Sequence, residues 1–243
     1  MNIVDDILQR IKERGVFAKI IRLRYNLLTV DEALYVVEEI GKSRTANFTI
    51  DNDNRFVYEN FIKWIHGDSS LKALDPISGE VISGDLNKGI YIAGPTGTGK
   101  SWCLDIMREY SAACRYCIEV PWNERRRREP LTWQFLRAKD VCDEFARTGN
   151  AERYSKSLIL ALQDLGSEPP EMAYMGNRED VIRQMLESRG DMNDCLTLIS
   201  SNLRISGAAI EKRYGDRAAS RLVEMCNYYE LKGADRRKMF LRT

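Results

Sequence analysis

Helical apolar spacing dominates the start of the chain. Ile3, Val4, Ile7, Leu8 and Ile11 recur at helical intervals until Gly15 interrupts them, and a second apolar and basic stretch follows over residues 16–28. A third helix is predicted from Thr29, whose hydroxyl caps it while Glu32 reaches back as a capping box; Ala33, Val36, Val37 and Ile40 share one face up to Gly41. Residues 1–46 thus form a helical N-terminal segment too short to bury a core of its own. It either leans on the rest of the chain or docks a partner. The polar stretch 41–47 marks the boundary with a second unit, residues 47–243.

That second unit opens with a predicted helix over 54–66, with Val57, Phe61, Trp64 and Ile65 inward, and then a loop or irregular hairpin over 67–87. From Gly89 the pattern changes. Short apolar runs at 90–93, 116–120, 132–136, 158–162 and 197–200 alternate with helical stretches at 100–113, 138–148, 177–187 and 217–226. Such alternation predicts an α/β fold, a parallel sheet with crossover helices.

Composition narrows the function classes. Of 243 residues, 44% are hydrophobic and 30% charged, the balance of a soluble globular chain. The formal charge of +1 leaves no global field for nucleic acid or membranes, so any such binding comes from local patches. The longest apolar run, 158–162, is far short of the ~20 residues of a membrane helix, and the acidic start (Asp5, Asp6) is unlike a signal peptide. A cytoplasmic protein with no membrane partner is expected. The six cysteines read as reduced thiols. Cys114 and Cys117 lack the second pair that a tetrahedral site needs, and His66, the only histidine, reads as part of a helix end capped by Gly67.

The strongest chemical signal is Gly94-Pro95-Thr96-Gly97-Thr98-Gly99-Lys100-Ser101, a full match to G-x-x-x-x-G-K-[ST] between a buried strand and a helix. Its glycines let successive N–H groups curl around phosphate oxygens. The helix N-terminus adds partial positive charge, Lys100, read as facing solvent, reaches the β and γ phosphates, and Ser101 ligates magnesium. ATP and Mg2+ are the expected cofactors. Hydrolysis also needs an apolar strand ending in a magnesium-holding carboxylate, and the candidate is the run 158–162 followed by Gln163, Asp164, Leu165 and Gly166.

This run resembles the Walker B segment of AAA+ ATPases of the DnaC helicase-loader and IstB transposition-helper group, in the manner of phage and mobile-element members. Further on, the strand ending in Asn202 resembles sensor one, the helix carrying Arg213, Arg217 and Arg221 resembles the arginine-finger helix, and Gly233 to Arg237 is similar to the sensor-two tail. The likeness spans about residues 48–243 and implies a P-loop AAA+ core without a full lid domain. It implies catalytic roles for Asp164, Asn202, Arg221 and Arg237, magnesium held by Ser101 and Asp164, and a nucleotide-dependent homo-oligomer in which Arg221 serves a neighbour. One position departs from the pattern: Gln163 stands where the magnesium-holding Asp is expected, and a neutral amide has a weak claim on a hard cation. A degenerate Walker B of this kind leaves binding in place and hydrolysis slow or absent, and Gln163→Asp is expected to raise magnesium-dependent turnover.

One basic cluster stands out. Arg125, Arg126, Arg127 and Arg128 fall in a predicted loop flanked by Trp122 and Trp133, a combination suited to single-stranded DNA, although a solvated turn has the same composition. The resemblance implies a loader of a replicative hexameric helicase. The alternatives are a transposition helper that meets a transposase, a nucleotide-gated scaffold with little turnover, and a monomeric P-loop kinase, which would leave Arg221 idle.

Overall fold

The sequence folds around parallel strands, and the computed structural model describes residues 2–13, 20–23, 28–122, 125–192 and 194–236. The N-terminal region contributes α1 (Ile3–Glu13), β1 (Ile21–Leu23), α2 (Val30–Arg44) and α3 (Arg55–His66). Next come β2 (Lys72–Leu74), β3 (Val81–Ser83), β4 (Gly89–Ala93), α4 (Lys100–Ala113), β5 (Cys117–Trp122), β6 (Arg125–Pro130), β7 (Gln134–Arg137) and α5 (Ala138–Thr148). The remainder supplies α6 (Glu152–Ser155), β8 (Ile159–Leu165), β9 (Met172–Tyr174), β10 (Asn177–Glu179), α7 (Val181–Gly190), β11 (Leu196–Ser201), α8 (Ala208–Met225) and β12 (Cys226–Glu230).

The main sheet has the order β3-β2-β12-β4-β11-β8-β7; the strands from β12 to β7 are parallel, and the β2–β3 hairpin extends the sheet antiparallel. All of β4 and β11 is buried, as parallel strands covered on both faces must be. Ile90 and Ile92 enter one core with α2, α3 and α4, while Tyr91 and Ala93 enter the other with α5, α7 and α8. At the edge where the strands begin, the buried Arg189 satisfies its guanidinium on Thr197 Oγ1 and on the carbonyls of Tyr154, Ser155, Ser157 and Leu196, at 2.7–3.2 Å. Among the described residues no helix is long and apolar enough to cross a membrane.

Several local expectations hold. The Thr29–Glu32 capping box starts α2, α3 ends on left-handed Gly67, and α4 and α5 occupy their predicted spans. His66 is buried, with its ring nitrogen Nε2 2.7 Å from the Tyr110 hydroxyl and its ring in a three-ring cluster with Tyr110 and Tyr116, so packing accompanies its place at the cap.

Others are corrected. Part of the 16–28 stretch, expected helical, is the strand β1, which pairs antiparallel with β5. Residues 14–19 and 24–27 lie outside the described residues. The run at 116–120 is a strand but not one of the parallel set: β1, β5 and β6 form a separate antiparallel sheet. Residues 177–179, expected to open a helix, pair with β9, and α7 starts after the Asp180 cap. The last predicted helix begins earlier, at Ala208, and carries a break at Gly215 (φ 79°). Its end at Cys226 passes directly into β12, a buried strand that the pattern did not predict.

Gly41 does not end α2. The helix continues to Arg44, and the missing side chain makes room for the Phe48 ring, whose Cδ1 would lie 2.1 Å from a Cβ at Gly41. Ala33, Leu34 and Val37 of α2 are buried in the same core as α3 and α4, whereas Ile3, Val4, Ile7 and Leu8 of α1 are exposed. A chain starting at residue 47 would expose several buried side chains, each stabilising by about 1.5–3 kcal/mol. It is therefore expected to melt roughly 10 °C or more below the full chain, while removal of residues 1–13 shifts the melt little; thermal denaturation of the two truncated chains checks this.

Candidate functional site

β4 ends at Ala93, and the next eight residues form the phosphate-loop match, the last two of which, Lys100 and Ser101, open α4. The backbone is left-handed at Gly97 (φ 84°) and Gly99 (φ 93°), which an L side chain rarely tolerates. At Gly97 the space is also taken: a Cβ would stand 1.9 Å from Asp235 Oδ1. Gly99 leads into α4 without a side-chain cap, and nothing lies within 4 Å of where its Cβ would be. The first N–H groups of α4 thus open on the cleft lined by Gly99, Lys100 and Ser101, where the helix dipole favours an anion.

Lys100 is only 5% exposed, so its expected solvent-facing placement is corrected. Its Nζ donates to Pro95 O at 2.7 Å and to Asn202 Oδ1 at 2.8 Å, because a buried ammonium needs acceptors in place of water. Asn202 follows β11, the strand between β4 and β8, so the topology itself puts it between the phosphate loop and the Walker B strand. Its Nδ2 also reaches Thr96 Oγ1 at 3.4 Å, while Thr98 Oγ1 donates to Pro95 O at 2.9 Å.

Asp164 stands on the other side of the same cleft. The Ser200 hydroxyl accepts from the Asp164 N–H at 3.2 Å and lies 3.4 Å from Ser101 Oγ, tying the two predicted magnesium-holding residues to one strand end. Asp164 is left-handed (φ 56°), a conformation tolerated best by Asn and Asp among residues with side chains. The β8–β11 register is irregular at this point, and Asp164 lines the cleft. Gln163 keeps the strand alternation and meets α4, its Nε2 3.4 Å from Asp105 Oδ1.

Residues 45–58 form the opposite wall, where Phe48 meets Tyr58 edge-on with ring centroids 5.9 Å apart. The C-terminal stretch closes a third side. The Arg236 N–H donates to Gly97 O at 3.0 Å, and its guanidinium donates to both carboxylate oxygens of Asp51 at 2.8 Å. Burial pushes the Asp51 carboxyl up, but the hydrogen bond and charge of Arg236, with the N–H groups of Asp53 and Asn54, hold it below its ordinary value. The cleft encloses about 1050 Å³, its open mouth included.

Sequence reasoning chose Arg237 for this tail, but Arg237 lies outside the described residues, and Arg236 lines the cleft. Asp51 and Phe48 went unnoticed because nothing local marks a polar loop as a wall. Arg221 is elsewhere. It pairs with Asp191 at 2.5 Å and Glu224 at 2.7 Å, and it packs beside Gly190 at the edge where the parallel strands begin, opposite the phosphate loop. Arg213 bonds to Glu168, whose carboxylate also accepts from the Gly166 N–H and the Tyr214 hydroxyl.

The basic cluster is not a loop. Arg125, Arg126, Arg127 and Arg128 lie on β6, an exposed edge strand paired with β5, and Arg126 and Arg127 bond to Glu119 and Glu129. Trp133 is buried and stacked on Phe61 (5.8 Å, 16°), which removes it as a platform for a base. The Trp122 side chain lies outside the described residues.

Together, the uncapped helix start, the loop glycines, Lys100, Ser101, Asp164 and Asn202 suit a nucleotide polyphosphate. The Ser101 hydroxyl and Asp164 carboxylate are the hard oxygen donors that would hold its magnesium, which when bound would neutralise developing phosphate charge. Lys100 and Asn202 would orient the terminal phosphate, and Asp164 a water.

Sequence comparison finds no matching family model and no matching curated protein. Solved structures do match. A putative primosome component from Streptococcus pyogenes serotype M3 is similar at 16% identity and TM-score 0.51, over 76% of this chain and 83% of its own. The DnaC helicase loader matches at 17% identity and TM-score 0.46, over 77% and 95%. Replication initiator DnaA bound to AMPPCP and single-stranded DNA matches at 16% and 0.47, over 78% of this chain and 49% of its own. Likeness at this level concerns the fold alone: the chain shares with the primosome component an α/β architecture, a mostly parallel sheet flanked by helices.

The Arg236–Asp51 pair carries a pH dependence. Because the folded Asp51 pKa lies below the unfolded value, its contribution is complete above about pH 4 and is lost as pH falls through the lower folded value. Arg236→Ala is expected to lower the melting temperature at pH 7, and by progressively less as the pH falls below about 4 and Asp51 takes up its proton. A difference that does not shrink on acidification would show that Asp51 does not titrate against Arg236.

Proposed function

We propose that this chain is an ATP-binding AAA+ protein of the helicase-loader kind, which assembles through nucleotide-dependent contacts and assists a replicative hexameric helicase on single-stranded DNA in the cytoplasm. The observation that carries the nucleotide reading is the meeting of Lys100, Ser101, Asp164 and Asn202 in one cleft beneath the uncapped start of α4. The fold shared with a primosome component and the sequence resemblance to the DnaC group support the replication role.

Assembly is proposed from Arg221. It stands at the far edge of the sheet from its own phosphate loop, so an arginine-finger role requires a neighbour's nucleotide. We place the helicase contact on α1, whose Ile3, Val4, Ile7 and Leu8 are exposed, and start the core at α2, which is packed into it. The DNA contact falls to the arginines of β6. A nucleotide-gated scaffold with little turnover is the second reading, favoured by Gln163.

Lys100→Ala is expected to weaken ATP binding by at least a hundredfold in a chain that remains folded, as titration with a fluorescent ATP analogue would measure. Unchanged affinity would remove the phosphate-loop assignment. Replacing Arg125, Arg126, Arg127 and Arg128 with Ser is expected to weaken single-stranded DNA binding and to flatten its log-log salt slope by about 0.7 per lost phosphate contact. An unaltered slope would return β6 to a solvated edge strand.

A further inference from the structure

Gln163 occupies the position where a magnesium-holding carboxylate is expected, yet a carboxylate lies against it. Asp105 Oδ1 accepts from Gln163 Nε2 at 3.4 Å. Asp105 sits on α4 four residues beyond Ser101, so the two side chains stand one above the other on one face of the helix. Its second oxygen, Oδ2, accepts from Arg44 Nη1 of α2 at 2.9 Å, and its side chain is 22% exposed. A carboxylate in an ion pair only accepts, so the amide atom facing it is the nitrogen, and turning the amide over would set oxygen against oxygen. Asp105 therefore fixes which end of the Gln163 amide it leaves unheld: the carbonyl oxygen, on a strand whose next residue, Asp164, lines the cleft.

We propose that Gln163 and Asp105 act as one divided Walker B group. Asp105 is a positioning residue that keeps the Gln163 carbonyl available to the magnesium shell beside Ser101, and it supplies nearby the negative charge that position 163 lacks. The inference rests on the ATP and magnesium reading of the cleft. Partners of this outer kind alter metal affinity by about ten- to a hundredfold. The same geometry revises the sequence expectation for Gln163→Asp, because the new carboxylate would face Asp105 at close range and like charges disfavour each other.

The test uses the full chain and a fluorescent ATP analogue titrated in magnesium and in EDTA, reading the ratio of the two affinities rather than turnover. Asp105→Asn is expected to lower the ratio about tenfold while affinity in EDTA stays the same. Arg44→Gln, which breaks the α2–α4 pair but leaves the Asp105 charge, is expected to leave the ratio within about twofold. Gln163→Asp alone is expected not to raise it, and the Gln163→Asp, Asp105→Asn double substitution is expected to restore it. If Asp105→Asn melts early, Gln163→Met takes its place and must lower the ratio comparably. The proposal is overturned if Asp105→Asn or Gln163→Met leaves the ratio intact. It is also overturned if Arg44→Gln lowers the ratio as far as Asp105→Asn, if Gln163→Asp alone raises it, or if the double substitution restores nothing. Failure of the unmodified chain to bind the analogue in either buffer would instead remove the nucleotide reading beneath it.

Discussion

The buried ammonium of Lys100 ties the cleft together. A charge taken out of water must find acceptors inside the protein, and here they are Pro95 O within the loop and Asn202 Oδ1 at the end of β11. That pair of bonds joins the phosphate loop to the strand that separates it from Asp164. The Ser200 hydroxyl extends the link to Ser101 and the Asp164 backbone. Positioning thus rests on the order of strands in the sheet, and the residues proposed to meet phosphate and magnesium are those that such a sheet delivers to one edge.

The two edges of the parallel sheet are chemically different. Where the strands end, glycines, an uncapped helix start and hard oxygen donors gather, with the Arg236–Asp51 pair holding the C-terminal stretch over Gly97. Where they begin, Arg189 binds carbonyls of neighbouring segments, and Arg221 lies in ion pairs near the surface. One edge is built to receive an anion, and at the other the arginines are already held by carbonyls and carboxylates.

The small β1–β5–β6 sheet lies outside the parallel frame: β5 and β6 are inserted between α4 and β7, and β1 joins them from the N-terminal region. Its inner residues, Ile118 and Val120, join the core around α3, so it is anchored, while β6 keeps its arginines at an exposed edge. An edge strand carrying consecutive arginines resists pairing with a second chain and holds its charges in fixed alternation on two faces, unlike the mobile loop that the sequence suggested.

The sequence by itself determined the elements whose information is local. The capping box at Thr29, the span of α4, the apolar runs of β4, β8 and β11 and the phosphate loop all follow from short-range periodicity and from glycines at fixed intervals. It could not place β12, because Asn227, Tyr228 and Tyr229 carry polar groups that only the sheet satisfies: Asn227 by bonding to the carbonyls of Asp85 and Gly89, Tyr229 by donating to Lys72 O. Nor could it separate β5 from the parallel set, since an apolar run looks the same in either sheet. Gly41 has the local signature of a helix stop, and only the fold brings Phe48 to fill its empty side. The contacts of Asp105 with Gln163, Arg236 with Asp51 and Lys100 with Asn202 join residues 58, 185 and 102 positions apart. Only the tertiary structure decided them, because their partners are chosen by strand order and helix packing, which no spacing along the chain records.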